Sequence, residues 1–481
     1  KALSQSASRL REKLGESLQS IQKFDAPLEA TTSSLEALKA YALGRLLYDS
    51  GKWSDANLYF NRAVEIDPNF ALAYRTLAFS YSNMRRSELI VQYAEKAYAL
   101  RDRVSEREKL AILDAYYLFV TGEVDKRIDE AELRKRLFPQ DSSAFSNLSL
   151  AYGQIGQFEK SITESREALR LNPNSITPYV QLGHMLISLD RYAEAGEIYR
   201  RALQQNLDVP SLHGGLYQIA FVAGDTGAMQ QQIDWAKGKP HEYEALDWQT
   251  GAAAFAGQRR RAQDLSRRSI ELARSSDEKE MTAGYTAEAA LRDALFGECA
   301  QTRAAATQAL APKYFQLFTA RAALALALCD EESQAQRLAD DLVKDYPKNT
   351  RVNSIWVPPI RAAIELRRGR AQQAVNLLED AKRYEAAAQF WPQYLRGLAY
   401  LKLRLGAEAA REFQKILDHR GEALLSALYP LARLGLARAA VMNGDAAKAR
   451  PAYQDFFALW KEADADLPVL VEAKKEYERL K

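Results

Sequence analysis

A short turn recurs along the chain at a fixed spacing: Asp67-Pro68-Asn69 returns as Asn172-Pro173-Asn174, three units of 35 residues later. A period of that length is the strongest constraint on the fold. Each copy is too short to bury its own apolar face and gains stability by stacking on its neighbours. Aligned on those turns, the first copy reads Leu43-Gly44, Leu47, the turn Gly51-Lys52-Trp53, then Ala56, Phe60, Ala63 and Pro68. The fourth reads Leu148-Ser149, Tyr152, Gly156-Gln157-Phe158, Ser161, Ser165, Ala168 and Pro173. The fifth has Tyr179, Leu182-Gly183, Leu186, Ala195, Tyr199 and Ala202. Small residues such as Gly44, Ala56 and Gly183 stand where two helices cross closely, and aromatics such as Phe60 and Tyr199 fill the space between units. The prolines follow the second helix and stop it.

This is the tetratricopeptide pattern, a helix–turn–helix of about 34 residues. It predicts an all-α solenoid, a right-handed superhelix of about twelve such units with helical caps. Further units run from Ala71 to Val104, Ser105 to Gln140 and Pro210 to Pro240, the last of them short. Later turns are expected at Gly257-Gln258, Gly297-Glu298, Asp330-Glu331, Gly369-Arg370, Leu405-Gly406 and Gly444-Asp445. Ser8 to Phe24 places Leu10, Leu14, Leu18 and Ile21 on one helical face and reads as an N-terminal cap; Leu467 to Leu480 reads as a closing helix. The division that follows is a cap and lead-in over 1–36, a first array over 37–240, a more degenerate array over 241–462 and a C-terminal cap over 463–481. The internal boundary is set at Lys237 to His241.

Composition removes several function classes. With 66 Lys+Arg against 63 Asp+Glu, the chain lacks the basic excess of a dedicated nucleic-acid binder. No run of about 18 uncharged apolar residues is present, so no membrane-spanning helix is expected in this segment. The polar, charged start KALSQSASRLREKL is not a secretory signal, and a chain beginning at Lys1 is expected to be a processed form or part of something longer. Four His and two Cys are too few for a metal cluster or a disulfide framework. There is no G-x-G-x-x-G, no G-x-x-x-x-G-K-[ST], no H-E-x-x-H and no G-x-S-x-G. The kinase signatures H-R-D and D-F-G are missing, and His419-Arg420-Gly421 lacks the aspartate that would serve as base. No enzymatic activity, metal or cofactor is therefore expected.

The remaining candidates are binding residues. His184, His213, His241 and His419 have no ligand spacing, though His184 follows Gly183 on the face turned to the groove. Cys299 and Cys329 sit near corresponding turns of adjacent units, about 10 Å or more apart if those points are equivalent, and read as two unpaired thiols. Arg259-Arg260-Arg261 with Arg267-Arg268, and Arg367-Arg368 with Arg370, read as solvated helix faces, or else as contacts for phosphate or acidic peptide. The first helix of each unit should line a concave groove. Its lining is expected to include Tyr41, Arg45, Tyr48 and Asp49, then Arg75, Phe79 and Asn83, then Ser146, Gln154, Val180 and His184. Such a mixed aromatic, Arg and Asn surface suits a protein or peptide partner held extended. The alternatives are binding along another face or by the ends, with self-association among them.

Several stretches together resemble a known family: LREKLGESLQSIQKFDAPLEATTSSLEALKAYALG (Leu10 to Gly44), VSEREK (Val104 to Lys109), EFQKILDHRG (Glu412 to Gly421) and the end from Tyr453 to Lys481. They look like the C-terminal tetratricopeptide region of large bacterial serine/threonine protein kinases of eukaryotic type; similar regions occur in winged-helix regulators. The resemblance implies a sensing or partner-binding half that follows a membrane helix and lies outside the cytoplasm. None of the family's catalytic residues maps onto this chain. A free-standing assembly scaffold is the other reading.

Overall fold

A computed structural model describes residues 32–310 and 316–480. No β-strand occurs among the described residues, which form twelve antiparallel helix pairs and a closing helix. Units one to four pair α1 (Leu35–Asp49) with α2 (Trp53–Ile66), α3 (Ala71–Asn83) with α4 (Ser87–Ala99), α5 (Glu106–Tyr116) with α6 (Val124–Leu137), and α7 (Ser142–Gln154) with α8 (Phe158–Leu171). Units five to eight pair α9 (Ile176–Ser188) with α10 (Tyr192–Gln204), α11 (Pro210–Ala223) with α12 (Thr226–Ala236), α13 (Glu242–Phe255) with α14 (Arg259–Ser275), and α15 (Lys279–Leu295) with α16 (Cys299–Leu310). Units nine to twelve pair α17 (Gln316–Leu328) with α18 (Glu332–Asp345), α19 (Val357–Arg367) with α20 (Ala371–Glu379), α21 (Trp391–Lys402) with α22 (Gly406–Asp418), and α23 (Leu428–Met442) with α24 (Ala446–Leu459). Helix α25 (Pro468–Glu478) closes the array, with Tyr453 donating its hydroxyl to Glu476 at 2.8 Å. The tetratricopeptide solenoid expected from the period is the fold observed. The expected N-terminal capping helix, Ser8 to Phe24, lies outside the described residues.

The turn inside each pair is made the same way. One residue takes a left-handed φ between 55° and 82°, a glycine at Gly51, Gly122, Gly156, Gly224, Gly257, Gly297, Gly369 and Gly444, and Arg85, Asp190, Asp330 or Arg404 elsewhere. The amide after it turns back onto the helix: Lys52 N–H reaches Leu47 O at 2.9 Å, Gln157 reaches Tyr152 O at 2.9 Å and Arg191 reaches Leu186 O at 2.9 Å. Carbonyls that the helix end would leave unpaired are thus satisfied.

The helix crossings follow the small-residue pattern. A Cβ added at Gly183 would lie 2.1 Å from the Tyr199 ring, and one at Gly215, in the next unit, 2.2 Å from the same ring. Phe413 is held alike between Gly397 (2.6 Å) and Gly435 (2.5 Å). In unit four the wedge is polar instead: Ser149 meets Ser161 at 2.9 Å and Ser165 at 2.6 Å, all three hydroxyls buried.

The superhelix winds far enough for its edges to meet. Thr350 N–H donates to Gly122 O at 3.0 Å, Gly421 N–H to Asp190 Oδ1 at 2.9 Å, and Asp464 N–H to Gly257 O at 3.1 Å. Arg85 pairs with Glu244 at 3.1 Å, and the Trp460 indole donates to Phe255 O at 3.0 Å. Turns of the earlier units therefore dock on junctions between later ones. The basic run Arg259-Arg260 belongs to this edge: both guanidiniums reach Asp466, at 2.9 and 2.8 Å. Arg367 and Arg368 pair with Asp330 and Glu332 of the preceding unit. These cations are paired within the chain while Arg260 and Arg367 stay exposed to solvent, as expected of a solvated helix face.

One expectation is corrected. Cys299 and Cys329 form a disulfide, with Cα atoms 5.3 Å apart. The two are not equivalent points of stacked units: Cys299 opens the second helix of unit eight, while Cys329 follows the first helix of unit nine. Antiparallel pairing brings those two ends side by side, inside the reach of the bridge.

Two outcomes follow for stability. Gly183→Ala should cost about 1–3 kcal/mol through its clash with Tyr199, whereas Gly297→Ala, with φ +82° and open space around its Cβ, should cost only about 1 kcal/mol of backbone strain. Thermal unfolding of both variants checks the order. Reduction, or Cys299→Ser, should remove about 3–4 kcal/mol of loop constraint, read as earlier hydrogen exchange in α16 and α17.

Candidate functional site

The first helices of the pairs carry the inner surface. In units one to four that surface is densely cross-linked. Tyr41 sits between Phe60 and Phe70, with ring centroids at 5.6 and 5.1 Å, and its hydroxyl meets Thr76 at 3.1 Å. Arg45 pairs with Asp49 at 2.7 Å and lies 4.9 Å over the Tyr48 ring. The buried Tyr48 hydroxyl accepts from Asn83 at 3.4 Å. Arg75 is buried against Phe79 (4.2 Å), which meets Phe119 edge-on, and donates to Ala111 O at 3.4 Å. Arg127, fully buried, binds Asp114 at 2.8 Å and Gln154 at 3.0 Å. Ser146 is buried nearby in the sequence on α7, while Val180 packs into the apolar cluster of unit five. The first-unit group (Tyr41, Arg45, Tyr48, Asp49) and the second-unit group (Arg75, Phe79, Asn83) are joined by the Tyr48–Asn83 contact.

His184 alone among these residues lines a large chamber between the units. The chamber is about 860 Å³ in volume, ringed by α9, α11, α13, α15, α17 and the junction 421–427, with Arg85 from unit two and Arg351, Gln389 and Trp391 from later units. Helix α15 offers Met281, Gly284, Glu288, Leu291 and Leu295, spaced by three and four residues so that one face points inward. Helix α13 offers Asp247, Trp248 and Gly251. The junction reaches the chamber because Gly421 lies against unit five, where a Cβ would come within 1.8 Å of Ile187 O. No group of three or more His, Cys, Asp or Glu able to hold a metal ion occurs among the described residues, and no helix of the described residues is long and apolar enough to cross a membrane.

Charge inside the chamber is mostly paired. Arg292 stands 3.8 Å from Asp247 and Arg321 2.6 Å from Glu288. Burial nevertheless pushes Asp247 up to about 6. Glu422 is pushed up to about 8, by burial first and then by the Glu385 and Asp190 carboxylates. Burial lowers His184, so its imidazole is neutral at pH 7. His213, outside the chamber, is a structural residue, bonded to Gln232 at 2.7 Å and Asp208 at 2.9 Å and stacked on Trp235.

Sequence reading stops at His184 because the consensus fades after unit five. The inward face of α15 carries a usable signal, since Met281, Gly284, Glu288 and Leu291 follow helical spacing. The junction residues carry none, because only superhelical closure brings them inward.

Comparison with known proteins agrees with the geometry. The tetratricopeptide repeat description matches residues 37–70, 142–175 and 176–208. The type IV pilus assembly protein PilF of Pseudomonas aeruginosa is 27% identical over 180 residues, 36% of this chain and 69% of that protein. The small glutamine-rich tetratricopeptide repeat-containing protein 2 of Mycosarcoma maydis is 35% identical over 80 residues, 17% of this chain; the match spans only 23% of that protein's length. Among solved structures, the APC/C hetero-tetramer Cut9–Hcn1 aligns with 98% of this chain and 82% of its own at 13% identity and a TM-score of 0.48. The chain carries tetratricopeptide repeats in an α-solenoid, an architecture of protein-interaction modules.

Glu422 makes the chamber pH-sensitive. Its folded form keeps the proton up to about pH 8, while the unfolded chain loses it near the ordinary carboxylate value. Stability therefore falls as pH rises between those limits. Glu422→Gln should leave the Tm nearly unchanged at acid pH and raise it by ~2–4 °C at alkaline pH, as read by calorimetry at both.

Proposed function

We propose that this chain is a non-catalytic protein-interaction module that holds an extended segment of a protein partner in its axial chamber. The observation that carries the reading is the chamber itself: about 860 Å³, lined by Trp248, Tyr285, Phe318 and Trp391 together with paired charges. That volume lies toward the upper end of ordinary ligand pockets, and the mix of aromatic anchors with a few polar groups is what peptide recognition uses. Of the inner residues expected from the sequence, His184 belongs to this chamber. The finer proposal is that the module is the sensing, C-terminal half of a bacterial serine/threonine kinase. It is supported by the resemblance of the terminal segments. A reading frame upstream of Lys1 encoding H-R-D and D-F-G segments would support it, and a start codon immediately before Lys1 would overturn it.

Photo-cross-linking tests the module reading. A benzoylphenylalanine at Met281, facing the chamber, should give adducts with a partner polypeptide in extract of the source cells. The same group at the exposed Leu58 should give few. Adducts at Leu58 with none at Met281 would reject the chamber as the binding surface.

A further inference from the structure

Unit one exposes a surface that units two and four hide. Along α1, Leu35, Lys39, Ala42, Leu43 and Leu46 follow helical spacing and share one stripe. All five are exposed, Leu43 to 41% and Leu46 to 71%. The matching stripe of unit two, 34 residues on, is Ala73, Thr76, Leu77 and Ser80, and all four are buried. That of unit four, Ala144, Asn147, Leu148 and Ala151, is buried too. In unit two the cover is the second helix of the unit before. Ser80 lies against the start of α2, its hydroxyl donating to Trp53 O at 3.4 Å. Unit one has no such helix before it among the described residues. Single exposed leucines are ordinary on a surface, but Leu43 and Leu46 occupy places that the fold buries one unit later.

The chain that leads into α1 arrives at this surface. Thr32 is buried beside the start of the helix, and its hydroxyl accepts from Ser34 N at 3.1 Å. Ser34 Oγ caps the helix by accepting from Ala37 N at 3.2 Å. Upstream, Leu10, Leu14, Leu18 and Ile21 stand at intervals of four, four and three, which share one face of a helix. Glu12, Glu16, Gln19 and Lys23 fall on the opposite face of the same pattern. The stretch from Ser8 to Phe24 amounts to about 25 Å of helix, against about 22 Å for α1. Residues 25–31 remain for the reversal, an ordinary length for joining antiparallel helices. A second copy of the chain fits less well. Three leucines on one helix offer far less than the roughly 1,200 Å² that a stable interface buries.

We propose that Ser8 to Phe24 docks on unit one as a helix antiparallel to α1. Leu10, Leu14, Leu18 and Ile21 lie on Leu35, Leu43 and Leu46, in the place that the second helix of a preceding unit would take. Glu12, Glu16, Gln19 and Lys23 then form the outer face at that end, the polar finish that a solenoid terminus requires. The contact makes this segment part of the folded array and withdraws the apolar stripe of α1 from other partners. It is independent of the chamber.

The test places a benzoylphenylalanine at Leu46 in the full chain, prepared as an equal mixture of 15N-labelled and unlabelled protein. On illumination, adducts should map to residues 8–24, and both ends of each adduct should carry the same isotope. Adducts that join labelled to unlabelled chains would put a second copy on this face and overturn the proposal. Adducts elsewhere in the chain, or none, would overturn it as well. Leu14→Asp combined with Leu18→Asp should lower the adduct yield about 10-fold or more, since two apolar contacts are lost. The same double variant should speed amide exchange in α1 and leave α9 at the wild-type rate, which shows that the array remains folded. An unchanged yield, or exchange in α1 at the wild-type rate, would overturn the docking.

Discussion

The close contact between a ring on the second helix of a unit and two backbones that carry no side chain sets the geometry of the array. Tyr199 lies against Gly183 of its own unit and Gly215 of the next, and Phe413 repeats the arrangement with Gly397 and Gly435. A wedge of fixed thickness between units fixes the angle at which each is added, and small equal angles accumulate into a superhelix. Close packing allows little slack at such points. Pitch, and with it everything that depends on closure, therefore traces back to a few glycine–aromatic contacts.

Closure is what turns an extended surface into a site. Backbone amides at Thr350, Gly421 and Asp464 find acceptors on turns of much earlier units. Those bonds satisfy polar groups that would otherwise need water, and they seat the junction 421–427 over the chamber. Ion pairs such as Arg259–Asp466 at the same edge are exposed and add little individually. The hydrogen-bonded contacts and the Gly421 approach carry the register. A chamber formed this way is mixed in polarity, with aromatic rings beside paired charges.

Much of the fold was legible before any coordinates. The turn glycines from Gly51 to Gly444, the small residues at crossings and the ring positions could be read from one period, because each is required locally by a left-handed φ or a close approach. Twelve pairs were expected, and the described residues form twelve. The binding surface was less legible. Its expected residues in units one to four engage one another, as in Arg45 with Asp49, and His184 alone reaches the chamber.

The periodic spacing of small, aromatic and turn residues was enough to specify helix pairs, their order and their stacking, since those rest on contacts within about two units. The Cys299–Cys329 bridge follows from the antiparallel approach of two adjacent units, whereas the pairing of Arg259 and Arg260 with Asp466 and the chamber depend on which distant units meet. That meeting is set by angles summed over many repeats. A small change in each crossing is invisible in one unit and decisive over several, so these features exist only once the superhelix has closed.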